Sequence, residues 1–290
     1  MRELNPEVWE KDFHLFTTEP LLLNNGPLGW GGPEISGAWS AGNPPAHPAI
    51  TYYLKERLST GKIEIELRDS LNRCVQTFPG TVRKGLNKIY WNLRETPPKV
   101  AAGSTKMDGA GFTAPMVLPG TYSVYIKVKD ITYTGTVQCI EDTSNLDFTL
   151  TQRQRVYKSA HQLKTLFSSI NSSIDSITVL QNSLKRDSVI FKKNKTAVAF
   201  YKDLQNLKSK LMATTKTSIF ADEERLREKV SKLYSTFCEM ESAPNETQLE
   251  SIEDLKMEYK KLEQERDRII TQYLPKTQLI IKPGTKSSAF

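Results

Sequence analysis

Two carboxylates one residue apart, Glu64 and Glu66, invite a catalytic reading first. Paired acids on one face are the apparatus of glycoside hydrolysis, where one protonates the leaving oxygen and the other is nucleophile or base. Here they share a strand face with Lys62 and Arg68, so they read as solubilising charges on the wet side of a sheet. His14, His47 and His161 lie far apart and make no HxxH or HExxH pattern, and no Gly-x-Ser-x-Gly elbow occurs. The glycines from Gly29 to Gly32 lack the strand, loop and helix order of a phosphate cradle. Three cysteines without a CxxC give neither a zinc site nor a disulfide framework. Cys74 and Cys139 fall in candidate strands, where they either pair or stay as buried thiols. The expectation is no catalytic residue, no metal ligand and no cofactor.

Binding chemistry is better represented. Trp30 and Trp39 sit in a stretch rich in glycine and proline, a composition that serves as a ligand platform or as a loop pinned by its aromatics. With Tyr53 and Tyr90 they are the rings on which a glycan could stack, the alternative being packing against a neighbouring surface. Phe112 and Met116 belong to a long Pro, Gly and Ala-rich connection over 96–118, well beyond ordinary loop length. The two side chains suggest that its tip packs on something. These six residues are the ligand or interface candidates.

The formal net charge of +7 raises nucleic acid as a partner. The cations are dispersed among acids except at Lys185, Arg186, Lys192, Lys193 and Lys195, which bracket an expected helix end, where cations favour the helix dipole. No recognition motif accompanies them, and nucleic acid is not an expected partner. No apolar run approaches the ~18 residues of a membrane span, and the start, Met1 to Pro6, has no signal-peptide h-region.

The elements that must position these side chains fall into two kinds. Residues 1–46 read as an irregular lead-in, with Leu21-Leu22-Leu23 as a short strand. Residues 47–142 alternate in short runs: Ile50, Tyr52, Leu54; Ile63, Ile65, Leu67; Ile89, Trp91, Leu93; Tyr122, Val124, Ile126, Val128; Ile131, Tyr133, Val137, Cys139. Turn signals at roughly ten-residue intervals point to an Ig-like antiparallel β-sandwich. Residues 147–274 change to helical period. Val156, Ala160, Leu163, Phe167, Ile170, Ile174, Ile177, Leu180 and Leu184 form a coiled-coil-like seam. Shorter stripes follow at Ala197–Leu211, at Leu226–Met240, and from Leu249 to a helix ending before Pro275. The expected fold is therefore multidomain β + α, the sandwich being followed by an elongated antiparallel bundle of three or four helices. Residues 275–290 make a tail whose Leu279-Ile280-Ile281 docks back.

Thr51-Tyr52-Tyr53-Leu54-Lys55-Glu56, the Ile63 to Phe78 hairpin, Gly85-Leu86-Asn87, Trp91-Asn92-Leu93-Arg94 and Leu118-Pro119-Gly120-Thr121-Tyr122 resemble one region of bacterial sortilin-like proteins. Those are BNR or Asp-box repeat propellers often labelled glycosyl hydrolases, with a C-terminal Ig-like domain of the flagellar-hook-capping type followed by helices. The helical half is similar around Lys229 to Tyr234 and Ala243 to Gln248, and His14-Leu15-Phe16 resembles the exit from a last propeller blade. The pattern departs at Asn92, where aspartate is usual, and at Asn72, where glycine is usual; no Asp-box is present. The resemblance implies a non-catalytic accessory, scaffolding or protein-binding region of a larger exported protein, located outside the cytoplasm. Its partner would be an upstream propeller or another protein. In the alternative it implies a region that binds a glycan or peptide substrate for a hydrolase whose active site lies on the propeller.

Overall fold

A computed structural model describes residues 3–23, 49–59, 61–103, 109–141, 148–214 and 223–277. It divides into two compact units, one of residues 1–96 and 115–154, the other of 97–114 and 155–290.

The first unit opens with α1 (Pro6–Glu10). Its amides are ordered by Asn5, whose side chain accepts from Val8 N at 3.0 Å, and by Pro6 in the first turn. Then come β1 (Phe13–Leu15), β2 (Leu21–Leu23), β3 (Ala49–Leu54), β4 (Ile63–Arg68), β5 (Cys74–Gly80), β6 (Gly85–Tyr90), β7 (Gly120–Val128) and β8 (Ile131–Glu141). They make a three-stranded sheet in the order β1-β3-β6 and a five-stranded sheet in the order β2-β8-β7-β4-β5. The alternation read from the sequence is realised: Ile63, Ile65 and Leu67 face inward with Val124, Ile126, Ile50, Tyr52, Trp91 and Val137 in one core.

The expected Ig-like sandwich followed by a helical bundle is nevertheless corrected. The arrangement is mixed α/β, with sheets of three and five strands, one of them curled into a half-barrel, and a long helix after them. The first 23 residues are the physical reason. Read as a lead-in, they instead add one strand to each sheet, and β2 pairs with β8 in parallel, Leu21 opposite Cys139. Phe13, Leu21 and Leu23 enter the same core as the later strands. A three-residue strand carries too little alternation to announce that role.

The hairpin between β4 and β5 turns on Asp69. Its carboxylate accepts from Leu71 N and Arg73 N, both at 2.9 Å, and from Arg73 Nε at 2.7 Å, while Asn72 takes the left-handed conformation with φ 61°. Partial burial pushes this carboxyl up, but the Arg73 side-chain and backbone hydrogen bonds outweigh it and hold the group below its ordinary 3.8. A carboxyl so depressed stabilises the fold fully above its ordinary value, and that stability is lost as pH falls through the lower folded value. Asp69→Asn is expected to lower stability by about 1 kcal/mol at neutral pH. It should also flatten the acid limb of the urea midpoint plotted against pH; an unchanged acid limb would refute this account.

The second unit contains most of α2 (Leu150–Lys185), with α3 (Ser188–Lys193), α4 (Lys195–Leu211), α5 (Leu226–Glu239) and α6 (Glu246–Thr277). The long seam on α2 is buried from Val156 to Leu184 as its spacing predicts. Its neighbours are identified by side-chain bonds: Ser173 Oγ to Tyr259 OH at 2.9 Å, Gln181 Nε2 to Gln205 Oε1 at 2.9 Å, and Lys208 Nζ to Thr178 Oγ1 at 2.9 Å. On α5 the buried row runs through Tyr234, while its neighbour Leu233 is half-buried. The helix expected to end before Pro275 continues to Thr277. In a last turn proline forfeits a single amide, and Thr277 Oγ1 donates to the carbonyls of Tyr273 and Leu274. Residues 97–114 belong with these helices. Ala110 and Ala114 are fully buried, and Tyr234 OH donates to Thr113 O at 3.2 Å.

Candidate interface

The outer face of the three-stranded sheet is where aromatic and aliphatic side chains gather outside the core. Asn87 and Ile89 of β6 point inward, so Leu86, Lys88 and Tyr90 point outward. In register, Leu86 stands opposite Tyr53, Lys88 opposite Thr51 and Tyr90 opposite Ala49, while His14 of β1 stands on the other side of Tyr53. Over the β1 and β3 side, α1 lays Val8 against Phe16 and Tyr53, a small cluster separate from the main core. Trp9 meets the Tyr53 ring edge-on at 5.0 Å, and Tyr53 OH donates to Trp9 O at 3.4 Å. Among the described residues the β6 side has no such cover. Leu86 is 40 %, Tyr90 48 % and Trp9 42 % exposed. Among the described residues β6 has β3 as its one sheet neighbour, so its outer edge carries no strand.

Electrostatics around this face are those of a fixed surface. Glu3 accepts from Thr17 N at 3.1 Å and from His14 Nε2 at 3.2 Å; its pKa is lowered chiefly by a hydrogen bond with the Thr17 side chain, with the His14 and Thr17 backbone bonds adding to it. On the other sheet Glu66 is clamped by Arg68 through two 3.0 Å bonds that keep its carboxyl low. A general acid needs a raised pKa, so Glu66 is held in the wrong state for that task. Cys74 is exposed and Cys139 buried, each as a free thiol, and burial pushes Cys139 up to about 12. The alternative of a Cys74–Cys139 pair is thereby set aside. Among the described residues no group of His, Cys, Asp or Glu is placed to hold a metal ion.

Neither the family models nor the curated proteins compared with the chain give a match. No described helix is long and apolar enough to cross a membrane.

The structure treats the six candidates unequally. Trp30 and Trp39 lie outside the described residues, as does the tail beyond Thr277. Tyr53 is 5 % exposed and serves packing, whereas Tyr90 is open. Met116 is half-buried against the β core, bridged to Arg94, with its Sδ 3.6 Å from Arg153 Nη1. Phe112, in the helical unit, is 74 % exposed, while Ala110 and Ala114 on either side of it are fully buried. Sequence reading passed over Trp9 and Leu86. The inward phase of Ile89 would have placed Leu86 on the face of Tyr90; nothing local marks Trp9 as a rim residue.

Proposed function

We propose that this chain is a non-catalytic binding and scaffolding region that engages another protein through the outer face of its three-stranded sheet. The observation supporting this reading is the exposed pair Leu86 and Tyr90, rimmed by Trp9, on a strand that lies at the sheet edge among the described residues. An aromatic and an aliphatic anchor beside an open strand edge are what protein recognition by added strands or packed faces requires. The sortilin-like resemblance would make the partner a propeller of an exported protein. Because the Ig-like expectation attached to that resemblance is corrected, the reading rests on the exposed face instead.

The test begins with the reading frame upstream of Met1 in the source genome. Any propeller it encodes is expressed separately and titrated with this chain by calorimetry. Leu86→Asp with Tyr90→Ser is expected to weaken binding by about 100-fold, as loss of two anchors would. Equal affinity of variant and wild type overturns the assignment of this face. Glycan binding that disappears with Tyr90→Ser, without any protein binding, would replace the reading by the substrate-binding alternative.

A further inference from the structure

The turn joining α2 to α4 combines charge and apolar exposure in a way that scaffolding does not use. From Lys185 to Lys195 it carries five cations, Lys185, Arg186, Lys192, Lys193 and Lys195, and one acid, Asp187. The acid is spent internally: Asp187 Oδ1 accepts from Val189 N and Ile190 N, both at 3.0 Å, as the N-cap of α3. Lys185 lies 4.0 Å over the Tyr201 ring. Arg186, Lys192, Lys193 and Lys195 are exposed and form no ion pair with any described residue. Between the cations, Val189 is 60 % and Ile190 51 % exposed. Phe191 does not share that exposure; it meets Tyr201 edge-on at 5.7 Å and anchors the short helix to α4.

We propose that this turn docks on an anionic lipid bilayer, with Val189 and Ile190 entering the headgroup–acyl boundary and the surrounding cations lying at the lipid phosphates. Three properties favour a bilayer over another macromolecule. Unpaired cations around two adjacent aliphatic side chains match an anionic interface in both its charged and its apolar layer. A nucleic-acid backbone would neutralise the cations but offer the aliphatics nothing. The backbone is also prepared for a medium without water. The amides of Val189, Ile190 and Phe191 are all taken by Asp187, and the carbonyls of Ile190 and Phe191 accept from Asn194 N at 3.1 Å. Those five peptide groups therefore stay hydrogen-bonded on insertion. This is surface attachment, compatible with the lack of any membrane-spanning helix among the described residues, and it is independent of the sheet face proposed for protein binding.

The experiment is co-sedimentation of the full chain with vesicles of phosphatidylcholine alone or mixed equally with phosphatidylglycerol. Wild type is expected to pellet with the anionic vesicles and to be released as salt rises. Each cation contributes about fivefold to partitioning, so K192E with K193E should lower it by at least about 25-fold. V189D with I190D should abolish it at matched charge elsewhere. All four side chains are exposed, so circular dichroism should show unchanged folding. I190W supplies a direct reading, a fluorescence blue shift with anionic vesicles that the wild-type chain does not give. Failure to pellet with anionic vesicles at low salt overturns the proposal, as does equal binding of the variants. Retention on heparin or duplex DNA without vesicle binding does the same, and so does I190W without a blue shift.

Discussion

Arg227→Ala is expected to destabilise the helical unit by about 3–5 kcal/mol, the largest effect of any single charged residue in it. Arg227 has no exposed surface, and its guanidinium is fixed on three sides. Nε donates to Asn171 Oδ1 at 3.0 Å, Nη1 to Glu228 Oε1 at 3.3 Å, and the plane lies 5.9 Å from the Phe167 ring centre. The partners are themselves committed. Asn171 Oδ1 also accepts from Ala101 N at 2.8 Å, and its Nδ2 donates to Phe167 O. Glu228, the N3 residue of α5, accepts from Arg225 N at 3.2 Å and Ala213 N at 3.0 Å. One guanidinium thus connects the 97–114 segment, the middle of α2 and the start of α5. Truncation leaves a buried carboxylate with less compensation and a void where the guanidinium lay. Urea unfolding followed by circular dichroism measures the loss. Two further variants separate charge from volume. Arg227→Met fills the space but not the charge and should remain strongly destabilised, whereas Arg227→Met with Glu228→Gln should recover part of the loss. If the single and double variants are equally stable, the ion pair is not what holds this junction.

How much of this was legible in advance depends on the length scale of the signal. The α2 seam repeats often enough that periodicity places its nine apolar residues from Val156 to Leu184, though not the buried Ser159, Leu166, Asn171, Ser173 and Gln181 beside them. Strands β4 and β7 likewise reveal their inward faces by alternation. Arg227 was not legible, because a charged residue within an amphipathic stripe reads as solvent-facing until its partners Asn171 and Glu228 are known, one of them 56 positions away. Strand partnership was equally hidden. The parallel pairing of Leu21–Leu23 with β8 joins residues more than a hundred positions apart and leaves no local mark. An Ig-like reading follows naturally from turn spacing alone, and it fails where such non-local pairings decide the sheet. The interface candidates were half legible for a related reason. Aromatic type marks Tyr53 and Tyr90 alike, and only the position of α1 makes the first a packing residue and leaves the second open.

Trp91→Ala should cost the β unit about 3–5 kcal/mol, and Trp91→Phe only about 1–2 kcal/mol. The difference follows from what the indole does. Trp91 is fully buried, meets Tyr122 edge-on at 5.6 Å, and donates Nε1–H to Arg94 O at 2.9 Å. That bond closes a tight corner just past β6. Asn92 Oδ1 accepts from Arg94 N at 3.2 Å, and Leu93 is held at φ 57°, a conformation that a leucine seldom adopts. Beyond the corner, Val117 N donates to Leu93 O at 2.8 Å, Glu95 N to Pro115 O at 3.1 Å, and Thr96 N to Val75 O at 2.9 Å. Phenylalanine retains most of the apolar contact and removes only the donor to Arg94. Alanine removes the ring on which the corner is folded, so the Leu93 conformation loses the packing that offsets its cost. Amide hydrogen exchange distinguishes this from a simple cavity. Val117 and Glu95 should lose protection in Trp91→Ala by a larger factor than Ile65 or Val124, which sit in the same core but away from the corner. Uniform loss across all four amides would make Trp91 a filler of volume, and a stability change below about 1 kcal/mol would remove it from the core's main supports.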